Sequence, residues 1–194
     1  YAAGAGLHVI AMCVVVKKNL SEDFIFRLAR LVQRHGAAEI RLLEPVRSGR
    51  YLDSEEETFY SAADRARLIE IHHRGNRTWG MPKFTTYWFI EGEEKFGCGA
   101  GILHSYLGET GELYPCDFIP AGFGNVRCAR LPELWANMRR NFGTPRSRCI
   151  ANALNAAIRD AAGEALPLAP ERSIPLCRTI AAQQPSSPLA DCFR

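Results

Sequence analysis

Apolar and polar positions alternate in the first 45 residues in a way that predicts a β-α-β unit. Residues 8–16 form a continuous β-branched apolar run, typical of a strand buried on both faces of a parallel sheet. Residues 17–36 repeat apolar positions at helical spacing and end at a glycine, and Asn19 is the predicted helix cap. Residues 37–45 form a second apolar run. Because α/β folds bind ligands beside the carboxyl ends of their strands, a site is expected where these two strands end.

The next segment continues the alternation of helix and strand. Residues 54–74 are predicted to form a helix that begins at Ser54. His72 and His73 then lie in its last turn, where a cationic ring suits the helix dipole. Residues 83–92 are aromatic and β-branched, which is typical of a strand. Together these patterns favour the α/β fold class.

The pattern changes in the second half of the chain. Residues 105–115 alternate around a Gly-Glu-Thr-Gly turn, which predicts a β-hairpin. Residues 131–142 and 151–163 carry apolar positions at helical spacing and predict two short helices. After about residue 180 the chain is rich in Pro, Ser and Gln, so we expect a loosely held tail.

Composition excludes several classes of protein. The chain has 194 residues, is 47% hydrophobic and carries a net charge of +3 with both signs interspersed, which argues against binding to nucleic acid. It has no apolar run of about 18 residues, so we expect no membrane span. The first residues lack the basic segment of a signal peptide, which favours a cytoplasmic protein. The sequence does not begin with Met, and we expect it to start inside a longer protein.

Six of the seven cysteines lie after residue 97, and their chemistry is open from the residues alone. An odd number without a secretory signal disfavours disulfides, although a bond between Cys98 and Cys116 across the hairpin can be drawn. Zinc favours paired short spacings, which are absent, but scattered cysteines can also bind it. Inert core cysteines are a further alternative. An iron–sulfur cluster needs about four thiolates, and Cys98, Cys116, Cys149 and one of Cys177 or Cys192 supply them.

Three glycines flank the first of these cysteines. Gly97, Gly99 and Gly101 have no side chain, and we expect them to let the backbone approach an inorganic cluster closely. Backbone N–H groups directed at sulfur would then tune such a cluster.

Residues 98–138 resemble the cysteine-rich extension of radical S-adenosylmethionine enzymes, of the SPASM or twitch type. Cys98 is followed by Gly111, and four residues separate that glycine from Cys116. A Gly-Asn pair and a helix with a tryptophan come next, in the order of the family pattern.

The resemblance implies a fold and a domain organisation. The β-α-β unit resembles the last part of the partial (β/α)6 barrel of these enzymes, so residues 1–80 are expected to be the C-terminal part of that barrel. Residues 81–180 are expected to form a small α+β auxiliary-cluster domain with a β-hairpin and helices. Residues 181–194 are expected to be a flexible tail.

The resemblance also implies site residues. An auxiliary [4Fe–4S] cluster would be held by Cys98, Cys116, Cys149 and Cys177, with Cys192 competing for the fourth place. Leu43 would line the adenine of S-adenosylmethionine, although an ordinary buried strand leucine is an equal alternative. Three residues outside this ligand set are interpreted as structural. Cys13 and Cys128 are expected to pack in the interior, and Asp117 is expected to cap a turn rather than to face substrate.

Two departures from the family pattern limit the expected activity. The chain lacks the C-x3-C-x2-C motif that holds the cluster which cleaves S-adenosylmethionine, so alone it should not start a radical reaction. It is either a fragment or a protein that has lost this chemistry. It also lacks the dense second cysteine run of full SPASM domains, which implies one auxiliary cluster.

The expected function follows from the resemblance. The domain would assist substrate binding or electron transfer in a radical S-adenosylmethionine enzyme that modifies a peptide or protein. The full-length parent would bind S-adenosylmethionine and a second [4Fe–4S] cluster, and flavodoxin or ferredoxin would reduce it. The alternative is a non-catalytic domain, zinc-stabilised or metal-free, that binds a partner.

Overall fold

The computed structural model describes residues 1–92, 95–163 and 166–193, and the chain divides into two compact units. The first unit comprises Tyr1–Pro45 and Glu55–Phe89, and the second comprises Val46–Ser54 and Ile90–Arg194. The strand at Lys83–Thr86 pairs within the first unit. The predicted assignment of residues 1–80 and 81–180 to a barrel part and an auxiliary domain stays a prediction. Across the described ranges, no helix has the length and apolar character needed to cross a membrane.

The first unit is built on a three-stranded parallel sheet in the order β1-β2-β3. Strand β1 (Ile10–Val14) is joined to β2 (Glu39–Leu43) by helix α1 (Glu22–Arg34), and β2 is joined to β3 (Lys83–Thr86) by helix α2 (Ala62–Arg77). The predicted β-α-β unit and the α/β class are confirmed. A one-turn helix, α3, follows β3 and spans Tyr87–Ile90.

One face of this sheet packs against the two helices. Ile40, Leu42 and Phe84 are fully buried there beside Ile25 of α1 and Leu68 of α2. Burying each of these side chains contributes about 1.5–3 kcal/mol, so this layer holds the unit together. On the opposite face, β1 exposes three apolar side chains, namely Ile10, Met12 and Val14.

The starts of both helices differ from the predicted ones. Ser21 rather than Asn19 caps α1, and its side chain accepts a hydrogen bond from the N–H of Phe24. Ser61 rather than Ser54 caps α2, where it forms a reciprocal capping box with Asp64. Both observed caps satisfy an N–H that the helix leaves free, and a separate 3-10 turn at Glu56–Thr58 interrupts the segment after Ser54.

The expectation of a cationic histidine at the end of α2 is wrong for His72. The helix continues to Arg77, and the His72 ring is buried and stacks on Phe89 at a centroid distance of 4.5 Å. Burial, aided by the charges of His73 and Lys83, lowers the pKa of His72 to about 4. His72 is therefore a neutral packing residue at pH 7.

The second unit combines the predicted hairpin with three helices. Strands β4 (Tyr106–Leu107) and β5 (Leu113–Tyr114) pair antiparallel, and α4 (Leu131–Phe142) and α5 (Ala151–Ala162) occupy their predicted positions. Helix α6 (Pro170–Gln183) was not predicted. The apolar core of this unit is formed by residues of β5, the three helices and the loops between them, among them Leu113, Phe123, Met138, Phe142, Leu154 and Ala181. Further 3-10 turns in the chain are Ala3–Ala5, Lys17–Asn19, Gly49–Tyr51 and Ala190–Phe193.

The expectation of a loose tail is corrected for its described part. Ser147 donates its backbone N–H to the carbonyl of Pro185 at 2.9 Å, and Ser187 donates to the carbonyl of Pro145 at 2.8 Å. The side chain of Ser187 is buried. Backbone hydrogen bonds thus hold the Pro- and Ser-rich segment in place. Arg194 lies outside the described residues.

Candidate functional site

Three cysteines from separate segments come together in the second unit. Cys98 and Arg146 form an antiparallel bridge in which each backbone N–H donates to the other's carbonyl, at N···O distances of 2.7 and 3.0 Å. This bridge brings the loop before α5 beside Cys98, and the thiols of Cys98 and Cys149 hydrogen-bond to each other. Cys116, at the end of the hairpin, is close enough for electrostatic interaction with both. The structure therefore brings these three cysteines near one another, and their role as ligands stays a prediction.

Backbone N–H groups point at all three sulfur atoms. Each thiol accepts a hydrogen bond from the N–H two residues further along the chain. The donors are Ala100 for Cys98, Phe118 for Cys116 and Ala151 for Cys149. Such N–H donors favour the thiolate over the thiol, which is the form that binds metal.

The start of α5 contributes most to this environment. Ile150 is the N-cap of the helix and donates its N–H to Cys98, while Ala151 is the first helical residue and donates to Cys149. N–H groups at a helix start have no partner within the helix, and the helix dipole is positive there. The two thiols therefore lie where the fold favours negative charge.

Interactions among the three thiols, together with their burial, give them different pKa values. The hydrogen bond from Cys149, with two backbone N–H donors, lowers the pKa of Cys98 to about 6 despite burial. The same thiol–thiol hydrogen bond, followed by burial, raises the pKa of Cys149. Burial is the main reason that the pKa of Cys116 is raised. Cys98 is therefore the most acidic thiol of the three.

Acidic side chains lie next to the thiols. The Cys116 thiol donates to Oδ1 of Asp117 at 3.1 Å, so among the described hydrogen bonds this carboxylate accepts from a thiol rather than capping a turn. Burial, with the charges of Cys98 and Asp117, raises the pKa of Glu91 to about 7. Burial also lowers the pKa of His104, and the charge of Asp117 opposes that shift. This side of the site can hold or release protons near neutral pH.

The glycines around Cys98 lie against neighbouring parts of the protein. A Cβ at Gly97 would collide with the carbonyl oxygen of Arg146, and one at Gly101 would lie 2.7 Å from the ring of Phe142. At Gly99 it would meet another side chain at 2.8 Å. Packing within the protein therefore requires these glycines, and their close approach to a cluster stays a prediction.

The remaining four cysteines differ in burial. Cys177 on α6 is fully buried in the core, and burial alone raises its pKa to about 12. Cys192 is exposed. The choice of either as fourth ligand stays a prediction. Cys13 packs against the core of the first unit as expected, but Cys128 is exposed, so its interpretation as a packing residue is wrong.

Leu43 is the last residue of β2 and is half-buried. It alternates with Leu42, so it lies on the sheet face away from the two helices. The following residue, Glu44, forms an ion pair with Arg65 at 3.2 Å, and that guanidinium stacks 4.1 Å from the ring of Trp88. The contact of Leu43 with adenine stays a prediction.

Sequence reasoning missed two polar residues of the site. Glu91 lies in a stretch rich in acidic residues, so nothing in the local sequence pattern distinguishes it. Asn155 is completely buried on α5. It shares the apolar face of that helix with Ala151, Leu154 and Ile158, and a polar residue on such a face was the available signal.

The three thiols are side chains of the type that ligates iron–sulfur clusters. Within residues 1–92, 95–163 and 166–193, no group of three or more His, Cys, Asp or Glu side chains is arranged to hold a metal ion.

Comparison with known proteins gives one partial similarity. A stretch of 51 residues is 39% identical to an AdoMet-dependent heme synthase of Oleidesulfovibrio alaskensis (strain ATCC BAA-1058 / DSM 17464 / G20). It covers 25% of this chain and 13% of that protein, so the chain matches a small part of its relative. No family model and no solved structure matches the chain. The sequence similarity to a radical S-adenosylmethionine enzyme is therefore restricted to one short stretch.

Proposed function

We propose that the second unit is an auxiliary iron–sulfur domain of the SPASM or twitch type, and that the chain is the C-terminal portion of a radical S-adenosylmethionine enzyme. The observation that carries this proposal is the meeting of Cys98, Cys116 and Cys149, each with a backbone N–H directed at its sulfur. The local similarity to an AdoMet-dependent heme synthase supports the enzyme class. The parallel sheet of the first unit is compatible with part of an α/β barrel.

Within this proposal, the three cysteines hold an auxiliary [4Fe–4S] cluster, and Cys177 or Cys192 is the expected fourth ligand. When bound, such a cluster supplies an electron-transfer centre or an iron that binds substrate. The N–H groups at the start of α5 stabilise the negative charge on the sulfur atoms. Glu91 can hold a proton beside the thiols, and Asp117 accepts the hydrogen bond of the Cys116 thiol.

The whole enzyme would act on S-adenosylmethionine with a second [4Fe–4S] cluster supplied outside this sequence. In that enzyme, Leu43 contacts the adenine at the carboxyl end of β2. A peptide or protein is the proposed substrate, and the name of the relative makes a haem precursor a second candidate. Flavodoxin or ferredoxin is the proposed reductant, and the cytoplasm is the proposed compartment.

The test is the identity of the bound metal. The chain is purified without oxygen after supply of iron and sulfide, and iron, zinc and acid-labile sulfide are assayed per chain. We expect about four irons and four sulfides in the wild type. The double variant Cys98→Ala/Cys116→Ala should lose both, and the matched control Cys128→Ala, at an exposed cysteine, should keep them.

The other outcomes identify the alternatives. About one zinc per chain without sulfide would support the zinc-stabilised partner-binding domain. No metal in the wild type would overturn both metal-binding proposals, and the three cysteines would then serve packing.

A further inference from the structure

The completely buried side chain of Asn155 joins two segments that are remote in sequence. Its amide nitrogen donates to the carbonyl of Phe118 at 2.7 Å and to the carbonyl of Arg47. Its amide oxygen has no partner among the described residues. Buried amides are retained where their hydrogen bonds are needed, so this side chain requires an explanation.

The orientation of this amide is fixed by chemistry. Backbone carbonyls only accept hydrogen bonds, and the amide nitrogen supplies two donors. Turning the amide over would place its oxygen against two carbonyl oxygens. The site therefore requires a short side chain with two N–H donors, which an aspartate of the same shape does not provide.

These hydrogen bonds link α5 to the loop that carries Cys116. The N–H of Phe118 donates to the Cys116 sulfur, while its carbonyl is held by Asn155. The same helix directs its first N–H groups at Cys98 and Cys149. One rigid element thus holds all three thiols, two from its start and one through the amide of Asn155.

We propose that Asn155 is a positioning residue that sets the place of Cys116 relative to Cys98 and Cys149. The consequence for metal binding rests on the proposed function, whereas the positioning of the thiol does not. Without the amide, the loop of Cys116 loses its tie to α5, while the Cys98–Arg146 bridge still holds the other two thiols.

Asn152 provides a matched control one turn earlier on the same helix. Its Oδ1 accepts the N–H of Arg47 at 2.9 Å, so it anchors the segment Val46–Ser54 as Asn155 does. Among the described hydrogen bonds it makes none to Phe118. A change at Asn152 therefore loosens that segment without touching the Cys116 loop.

The first experiment measures thiol accessibility in metal-free, reduced protein. The wild type, N155D, N155S and N152S are treated with N-ethylmaleimide, and labelling of each cysteine is followed by peptide mass spectrometry. Cys116 should be labelled about tenfold faster in both Asn155 variants, a change equivalent to losing one buried hydrogen bond. Fully buried Cys177 reports global unfolding and should stay protected.

The second experiment uses protein supplied with iron and sulfide. Release of iron to bathophenanthroline should be about tenfold faster in the Asn155 variants than in the wild type or N152S, because one thiolate ligand is no longer held in place. The electron paramagnetic resonance spectrum of the reduced protein should change in the same two variants only.

Each outcome decides the matter. Wild-type labelling of Cys116 in both Asn155 variants overturns the proposal. Labelling of Cys177 in both variants also overturns it, because Asn155 would then support the fold as a whole. If the wild type binds no iron but Cys116 responds as expected, the proposed cluster fails while the positioning of the thiol stands.

Discussion

The substitution Gly101→Ala separates two explanations of the glycines beside the thiol site. Gly101 has φ +73°, and a Cβ there would lie 2.7 Å from Cδ2 of Phe142, which is fully buried. The left-handed backbone costs an alanine about 1–2 kcal/mol. Overpacking against a fixed ring costs about 1–3 kcal/mol more. We therefore expect a total loss of roughly 2–5 kcal/mol in the free energy of unfolding.

Gly6→Ala is the control for the backbone cost of this substitution. Gly6 has φ +77° in the left-handed region, and a Cβ there meets none of the described residues within 4 Å. It should lose only the backbone part, about 1–2 kcal/mol. Urea unfolding of metal-free, reduced protein, followed by circular dichroism, measures both values.

The comparison refutes the packing argument if the two variants lose the same stability. The packing argument is refuted more strongly if Gly101→Ala leaves the stability of metal-free protein unchanged and reduces only iron binding. That second result would support the view that the glycine makes room for a cluster.

Two further predictions concern the first unit. His72 has a folded-state pKa below its unfolded value, so the unfolded chain binds more protons and stability should fall as the pH drops from 6.5 towards 4. His72→Leu should reduce this slope in urea titrations across that range, and an unchanged slope would contradict the burial of a neutral ring. Ser61→Ala should cost about 1 kcal/mol of unfolding free energy, whereas Ser54→Ala should cost almost nothing. Equal losses in thermal melts would show that the cap of α2 is misplaced.

Local sequence patterns were sufficient to predict the secondary-structure elements that neighbouring residues determine. The apolar run before α1 and the helical spacing of apolar residues within α1 predicted the β-α-β unit. The Gly-Glu-Thr-Gly turn predicted the hairpin. Helix α6 was missed because Pro175 lies inside it, although Pro170 suits its first turn. The start of α2 was misplaced because two serines are possible caps, and the capping box with Asp64 favours Ser61.

The site was predictable only in part, because its geometry depends on contacts between distant segments. The positions of Cys98 and Cys116 at the two ends of the hairpin stretch indicated a pair. The approach of Cys149 depends on the backbone bridge between Cys98 and Arg146, which has no local signature. The roles of Glu91 and Asn155 depend likewise on burial and on partners remote in sequence.

The most direct test of the account is the iron and sulfide content of single cysteine variants. Cys98→Ser, Cys116→Ser and Cys149→Ser are compared with Cys13→Ser and Cys128→Ser after anaerobic supply of iron and sulfide. The account predicts that each of the first three loses most of its iron and sulfide, and that the last two retain about four of each. Full iron and sulfide in all five variants, or equal loss in all five, would contradict the assignment of the three thiols as the ligands of an auxiliary cluster.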